Sequence, residues 1–360
     1  MNDYRKTPNG TKSHLRNWIV ALTLVGLLVG QVVPASAAPT PYAVVGPQGG
    51  SLMVLTPAGP KRLVPFAHAG STFGVAIAAD GDAYVADGGN GQFLVLSLKS
   101  GHILGRQTLP KAAKAATILS PDGNTVYAVG FGYVRAFSAH APYAMTASLA
   151  GKGGMAAAVT HDGRTLYVAG LNRPGIDVYD TGTRQLVTTL APKQRFVGIV
   201  LAGPNENQLW AFSPVSGDVM VYSAAEGKLL KTLHTGESGF SPANMMMATS
   251  GFMQAATTGS SSTSTIWAST FSGHLRSYDT ATLSAGKTID LTTNPTGKTQ
   301  FVSMAVSPGG GTLFATVENA ATTLEISASS GKILHDFGPA SGTSRFTVVP
   351  ESAVQPSDRE

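Results

Sequence analysis

Seven histidines follow residue 37, and none stands in a His-Glu-x-x-His or similar ligand spacing. His68, His234 and His274 fall in predicted loops at one end of the fold, where Glu237 or Glu318 can add a carboxylate. That set has the donor types of a metal site, but a solvated loop histidine is the plainer reading of each, and no metal and no cofactor is expected. His161 falls in a turn at the opposite end. Five predicted inner strands are introduced by phenylalanine: Ser71-Thr72-Phe73, Gln194-Arg195-Phe196, Ser238-Gly239-Phe240, Thr299-Gln300-Phe301 and Ser344-Arg345-Phe346. With Arg195 and Arg345 these rings describe an aromatic and cationic mouth able to hold an anionic or planar ligand. The competing reading is that each Phe wedges neighbouring sheets apart. Met245-Met246-Met247 and Met253 carry soft thioethers that suit copper, yet the run falls on a predicted inner strand, where core packing is the better account. There is no Gly-x-Ser-x-Gly elbow, no phosphate loop and no dinucleotide-binding glycine motif, and Asp80-Gly81, Asp122-Gly123 and Asp162-Gly163 read as turns.

The elements that must position these residues repeat about every 40 residues. The clearest copy spans 157–191: an apolar run to Asp162-Gly163, a second run Leu166-Tyr167-Val168-Ala169, a loop to Ile176–Asp180, a Thr-Gly turn, then Gln185–Leu190. That is four strands per copy. Further copies start at Ala76, Ala116, Ile199, Met246 and Met304, which makes six in all. The copy from Met246 carries a Thr/Ser-rich insertion over 257–265, read as a loop. Residues 42–67 read as second, third and fourth strands without a first, and 346–350 as a first strand with nothing after it. Joined, they make a seventh copy. The expected fold is all-β, a seven-bladed β-propeller of four-stranded antiparallel blades occupying 38–354, its ring closed by the N- and C-terminal strands.

Residues 1–37 have the pattern of a secretory signal: Arg5, Lys6, Lys12 and Arg16, then an apolar stretch Trp18–Val33, then Ala35-Ser36-Ala37. Cleavage is expected before Ala38, with export to the periplasm or medium and no membrane attachment afterwards. Residues 355–360 read as a disordered tail. The leader holds four Lys/Arg and one Asp, so its removal lowers the formal charge from +5 to +2 and leaves no basic stripe for nucleic acid. The chain has no cysteine, which excludes disulfides, Cys-ligated zinc, iron–sulfur clusters and covalently attached c-type haem.

The order Leu-Tyr-Val-Ala, loop, Ile-Asp-Val-Tyr-Asp, Thr-Gly and a final strand resembles the YVTN family of bacterial β-propeller repeats. Tyr84-Val85-Ala86-Asp87 and Tyr167-Val168-Ala169-Gly170 stand where the family has its signature, and Asp180, Ser223, Asp279 and Ser327 stand where it often has Asp. The fourth signature position holds Asp87, Gly170, Phe212 or Thr270 here. The resemblance implies the fold over about residues 42–354. For function it implies a range: surface-layer proteins, nucleic-acid and cell-wall binders, lactonases and heavy chains of quinone-dependent amine dehydrogenases.

Three readings follow. With no catalytic constellation in view, the first is an exported, monomeric scaffold that binds a protein or small-molecule ligand at its channel mouth through His68, Phe73, Arg195, Phe196, Phe240, His274, Phe301, Arg345 and Phe346. The second is a lactonase- or hydrolase-like enzyme, which needs His68, His274 and an acidic residue to converge. The third is a redox subunit, which needs a cysteine-rich partner chain.

Overall fold

Strand runs of four to seven residues separated by tight turns leave little room for helix, and the computed structural model is all-β, with short 3-10 turns at Pro204–Glu206 and Glu351–Ala353 the only helical elements among the described residues. It describes residues 42–48, 51–56, 59–65, 72–237, 252–257, 265–270, 272–291, 293–294, 297–298, 301–307, 309–317, 322–339 and 347–354. The leader, the 355–360 tail, His68, Phe240, Glu318, Arg345 and Phe346 lie outside these residues.

The clearest repeat folds as read: Ala156–Val159, Thr165–Ala169, Ile176–Asp180 and Gln185–Leu190 form one antiparallel sheet in sequence order. The same four-strand order recurs over 72–108, 115–149, 198–234, 252–290 and 301–339. The two fragments also join, since Thr347–Pro350 pairs antiparallel with Tyr42–Gln48 in the register Ala43↔Val349 and Val44↔Val348. Because neighbouring strands are antiparallel, the first-to-second and third-to-fourth turns of each sheet share one end, here the turn end. Second-to-third loops and the connectors between sheets share the other, the connector end.

Three placements differ from the sequence reading. The first strand of the 252–290 sheet is Phe252–Thr257, not a strand from Met246; pairing Thr257 with Ile266 leaves a short loop, whereas the earlier start would demand a long one. Met245–Met247 therefore lie off that strand and outside the described residues, and only Met253 is on it. Phe73 and Phe301 sit within their first strands rather than ahead of them. The 72–108 and 115–149 sheets are not separate: Thr72 and Gly74 pair in parallel with Ala115 and Ala116, giving one eight-stranded sheet.

The sheets pack face to face through apolar clusters, each shared by two of them. Tyr84, Phe93 and Val95 meet Val126, Tyr133 and Phe137, with the Phe93 and Phe137 rings stacked 4.1 Å apart. Val129, Val134 and Leu149 meet Leu166, Val168 and Tyr179. Trp210, Phe212 and Val221 meet Ile266, Ala268 and Tyr278. Met53 and Leu55 of the 42–65 sheet meet Ala305, Phe314 and Phe337 of the 301–339 sheet. Hydrogen bonds cross these contacts at the turn end: Tyr84 donates to the Ala139 carbonyl (2.8 Å), Tyr167 to Ala224 (2.6 Å) and the Gln208 amide to Thr280 (2.9 Å).

Fourth strands are the outer edges and are largely exposed, Val187 at 64% and Leu334 at 55%. In every four-stranded group the pairing of third with fourth strand slips by a residue, as between Val178 and Tyr179, Val221 and Tyr222, and Val95 and Leu96.

Truncation before Thr347 removes the strand paired with Tyr42–Gln48 and uncovers a sheet edge. The expected result is a lower urea midpoint and concentration-dependent aggregation; a midpoint equal to that of the full chain would show that the terminal pairing adds no stability.

Candidate functional site

At the connector end the structure brings together two residues singled out in sequence, Glu237 and His274. Glu237 follows the fourth strand Leu229–His234, and His274 opens the third strand His274–Asp279 of the next sheet. His234 and His274 thus occupy strand ends rather than loops. The Glu237 side chain is only 3% exposed. Its Oε2 accepts a hydrogen bond from Ser272 Oγ at 2.6 Å. Its Oε1 accepts from Arg276 Nε at 2.7 Å and lies 2.8 Å from His274 Nδ1. A carboxylate only accepts, so Nδ1 carries the proton, and Nε2 points toward Asp290 Oδ1 at 3.9 Å. Burial pushes the Glu237 carboxyl up, but hydrogen bonds from Ser272, Arg276 and His274, with the Arg276 charge, outweigh it and hold it below its ordinary value.

A second sealed pair lies two sheets earlier. Arg173 and Asp177, at 7% and 6% side-chain exposure, meet at 2.8 Å. Arg173 also donates to the carbonyls of Gly153 (3.0 Å) and Val168 (3.2 Å), while Asp177 accepts from Thr189 (2.8 Å) and Tyr179 (3.1 Å). Gly153 has φ +62, and a Cβ there would lie 1.9 Å from the Gly130 carbonyl oxygen, so the connector passes where only glycine fits. Neither ion pair was read from the sequence; the i,i+4 spacing of Arg173 and Asp177 across a hairpin loop was the available signal.

These carboxylates are already satisfied, and the charged side chains exposed on the connectors at 109–114, 150–155 and 191–197 are cationic, Lys111, Lys152, Lys193 and Arg195, while Asp290 at the same end is an exposed carboxylate. Burial lowers the titration of the half-covered Lys114. Arg195 is exposed, and its guanidinium donates to the Leu171 carbonyl. Its neighbour Phe196 is fully buried with Tyr167, Ile199 and Leu209, so its ring packs between sheets and is not offered to a ligand. His234 is turned to Asp218 at 2.9 Å and does not join His274. Among the described residues no three of His, Asp and Glu gather as a metal would need.

The first strands carry hydroxyls but no ionisable groups. TFGVAI, AATIL, AAAV, GIVLA, FMQAAT, FVSMAV and TVVP contain no ionisable side chain. At the turn end the Asp-Gly pairs act as turns: Asp162 Oδ1 accepts from Thr160 Oγ1 (2.6 Å) and the Arg164 amide (3.0 Å), and Gly163 has φ +71.

No family model and no curated protein matches this chain. Among solved structures it is similar to a chain of Kuenenia stuttgartiensis hydrazine synthase, with a TM-score of 0.63 and 14% identity over 79% of this chain and 96% of that one. The fold is propeller-like. At that identity the likeness concerns fold alone.

The Glu237 cluster predicts a pH signature. The ionised carboxylate contributes stability above the ordinary glutamate value of 4.5, and that contribution is lost as pH falls through the lowered folded value. Glu237→Ala should cost about 3–5 kcal/mol at neutral pH by leaving Arg276 unpaired in a mostly buried site. The melting temperature of Glu237→Gln should lie below that of the parent at pH 7 and converge with it in acid. A gap that stayed constant with pH would remove the ionised pair from the account.

Proposed function

We propose that this chain is an exported, seven-bladed β-propeller that acts as a non-catalytic scaffold and binds an anionic partner at its connector end. The observation that carries the reading is the pairing of uncharged first strands with exposed cations on the connectors. Among the described residues no ionisable side chain lies on the strands that would face a central channel, while Lys111, Lys152, Lys193 and Arg195 stand exposed on the connectors. Closure of the ring is supported by the pairing of Thr347–Pro350 with Tyr42–Gln48 and by the cluster shared between the 42–65 and 301–339 sheets. Export is supported by the leader pattern of residues 1–37. A mature mass starting at Ala38 from the culture medium or periplasm is the expected result; a mass that retains Met1 or residue 2 onward would overturn it.

Within this reading Arg195 and Arg345 are contact residues, joined by Lys111 and Lys193. The partner presents carboxylate, sulfate or phosphate groups, and binding weakens with salt because exposed charges are screened over about 8 Å at physiological ionic strength. Dextran sulfate is a suitable probe. Arg195→Ala with Arg345→Ala should reduce its binding at least about tenfold while the melting temperature stays unchanged. A matching loss of stability would instead assign both arginines to packing. The resemblance of the repeats to those of amine dehydrogenase heavy chains leaves one other reading, a subunit of a redox assembly. Co-purification of a coloured second chain from the native host would select it over the scaffold.

A further inference from the structure

Two cavities open at the turn end, on either side of the turn joining Ala156–Val159 to Thr165–Ala169. The larger, about 480 Å³, lies toward the 198–234 sheet, and the smaller, about 240 Å³, lies toward the 115–149 sheet. His161 and Asp162 line both, so the two cavities flank one shared turn. The larger falls within the roughly 300–1,000 Å³ of ordinary small-molecule sites.

Its walls are fixed before any ligand arrives. The His161 amide donates to Glu206 Oε2 at 2.5 Å, tying the turn of one sheet to that of the next. Tyr167 does the same through the Ala224 carbonyl. Asn205 and Glu206 are held at φ 53 and 54, a left-handed backbone that asparagine tolerates better than most residues.

The lining states what would fit. The side chains of His161, Asn205 and Asn207 line the larger cavity and make no hydrogen bond to other described residues, which leaves amide and imidazole donors and acceptors unused. Ala224 and Ala225 supply an apolar wall, with the buried Tyr167 behind them. No lysine or arginine lines either cavity, and Asp122, Asp162 and Glu206 contribute negative charge, so an anion is disfavoured. Asp162 is engaged by Thr160 and Arg164, and no metal-holding group of side chains is present among the described residues. Alternating donors and acceptors beside an apolar face match hydroxyls on one side and C–H groups on the other. Two cavities about one turn match a ligand of more than one such ring.

We propose that this groove binds a neutral oligosaccharide, at the end of the molecule opposite the exposed connector cations. The test titrates cellotriose, maltotriose and triacetylchitotriose calorimetrically into the mature full-length chain. At least one should bind saturably. Ala225→Leu fills the larger cavity from an exposed position and should weaken that binding at least about tenfold with no change in melting temperature. Asn207→Ala removes an amide without adding volume and should also weaken it; it decides the matter if Ala225→Leu destabilises the fold. Dextran sulfate should not compete. Failure of all three sugars to bind, or binding undiminished in both variants, would overturn the proposal. Competition by dextran sulfate would also overturn it by moving the site to the connector end.

Discussion

No sheet in this chain can stand alone. A four-stranded sheet whose second strand is apolar on both faces must be covered on both, and another such sheet supplies a matching surface. The stacked Phe93 and Phe137 rings and the Trp210–Tyr278 contact are local instances of that demand. Apolar contact alone would let two sheets slide. The Tyr84, Tyr167 and Gln208 hydrogen bonds fix the offset, because each donor is buried and reaches one particular carbonyl of the neighbouring sheet. Register between sheets thus rests on a few directional bonds set within a large non-directional interface.

The same division governs the ends. At the connector end, buried ion pairs hold the chain where it passes from one sheet to the next. Such pairs add little net stability relative to apolar packing, but they penalise any arrangement that separates the partners. Arg173 and Asp177 are surrounded by the carbonyls and hydroxyls that complete their hydrogen bonding. Glu237 is similarly enclosed by Ser272, His274 and Arg276. With these acids enclosed, the charges exposed on the connectors at 109–114, 150–155 and 191–197 are cationic. At the other end the acids stay at the surface as turn residues, Asp162 beside the exposed Arg164.

Strand boundaries were legible because alternation and Asp-Gly turns act locally; the 156–190 sheet follows the sequence reading nearly residue for residue. The pairing of the two terminal fragments was legible too, since each lacked what the other had. The start of the 252–290 sheet was not: a Met-rich apolar run and a Phe-Met-Gln-Ala-Ala-Thr run are equally strand-like, and only pairing with Ile266-Trp267 chooses between them. The site was read less well. Glu237 and His274 were named as candidates, but 37 residues separate them, and the Arg276 and Ser272 that turn them into an enclosed cluster carry no sequence signature. Phe196 was legible as a residue of consequence, though as a wedge rather than a contact.

The slipped pairing of every third and fourth strand has a wider consequence. A fourth strand offers free backbone donors and acceptors and exposes apolar side chains such as Val187 and Leu334, the makings of a template for another chain. The one-residue slip bends and twists that strand, so no long, flat edge is presented. Protection is therefore built into each repeat separately and does not depend on how many there are. A lineage could gain or lose a repeat without creating a new surface prone to amyloid-like growth, which makes the number of repeats open to evolutionary change.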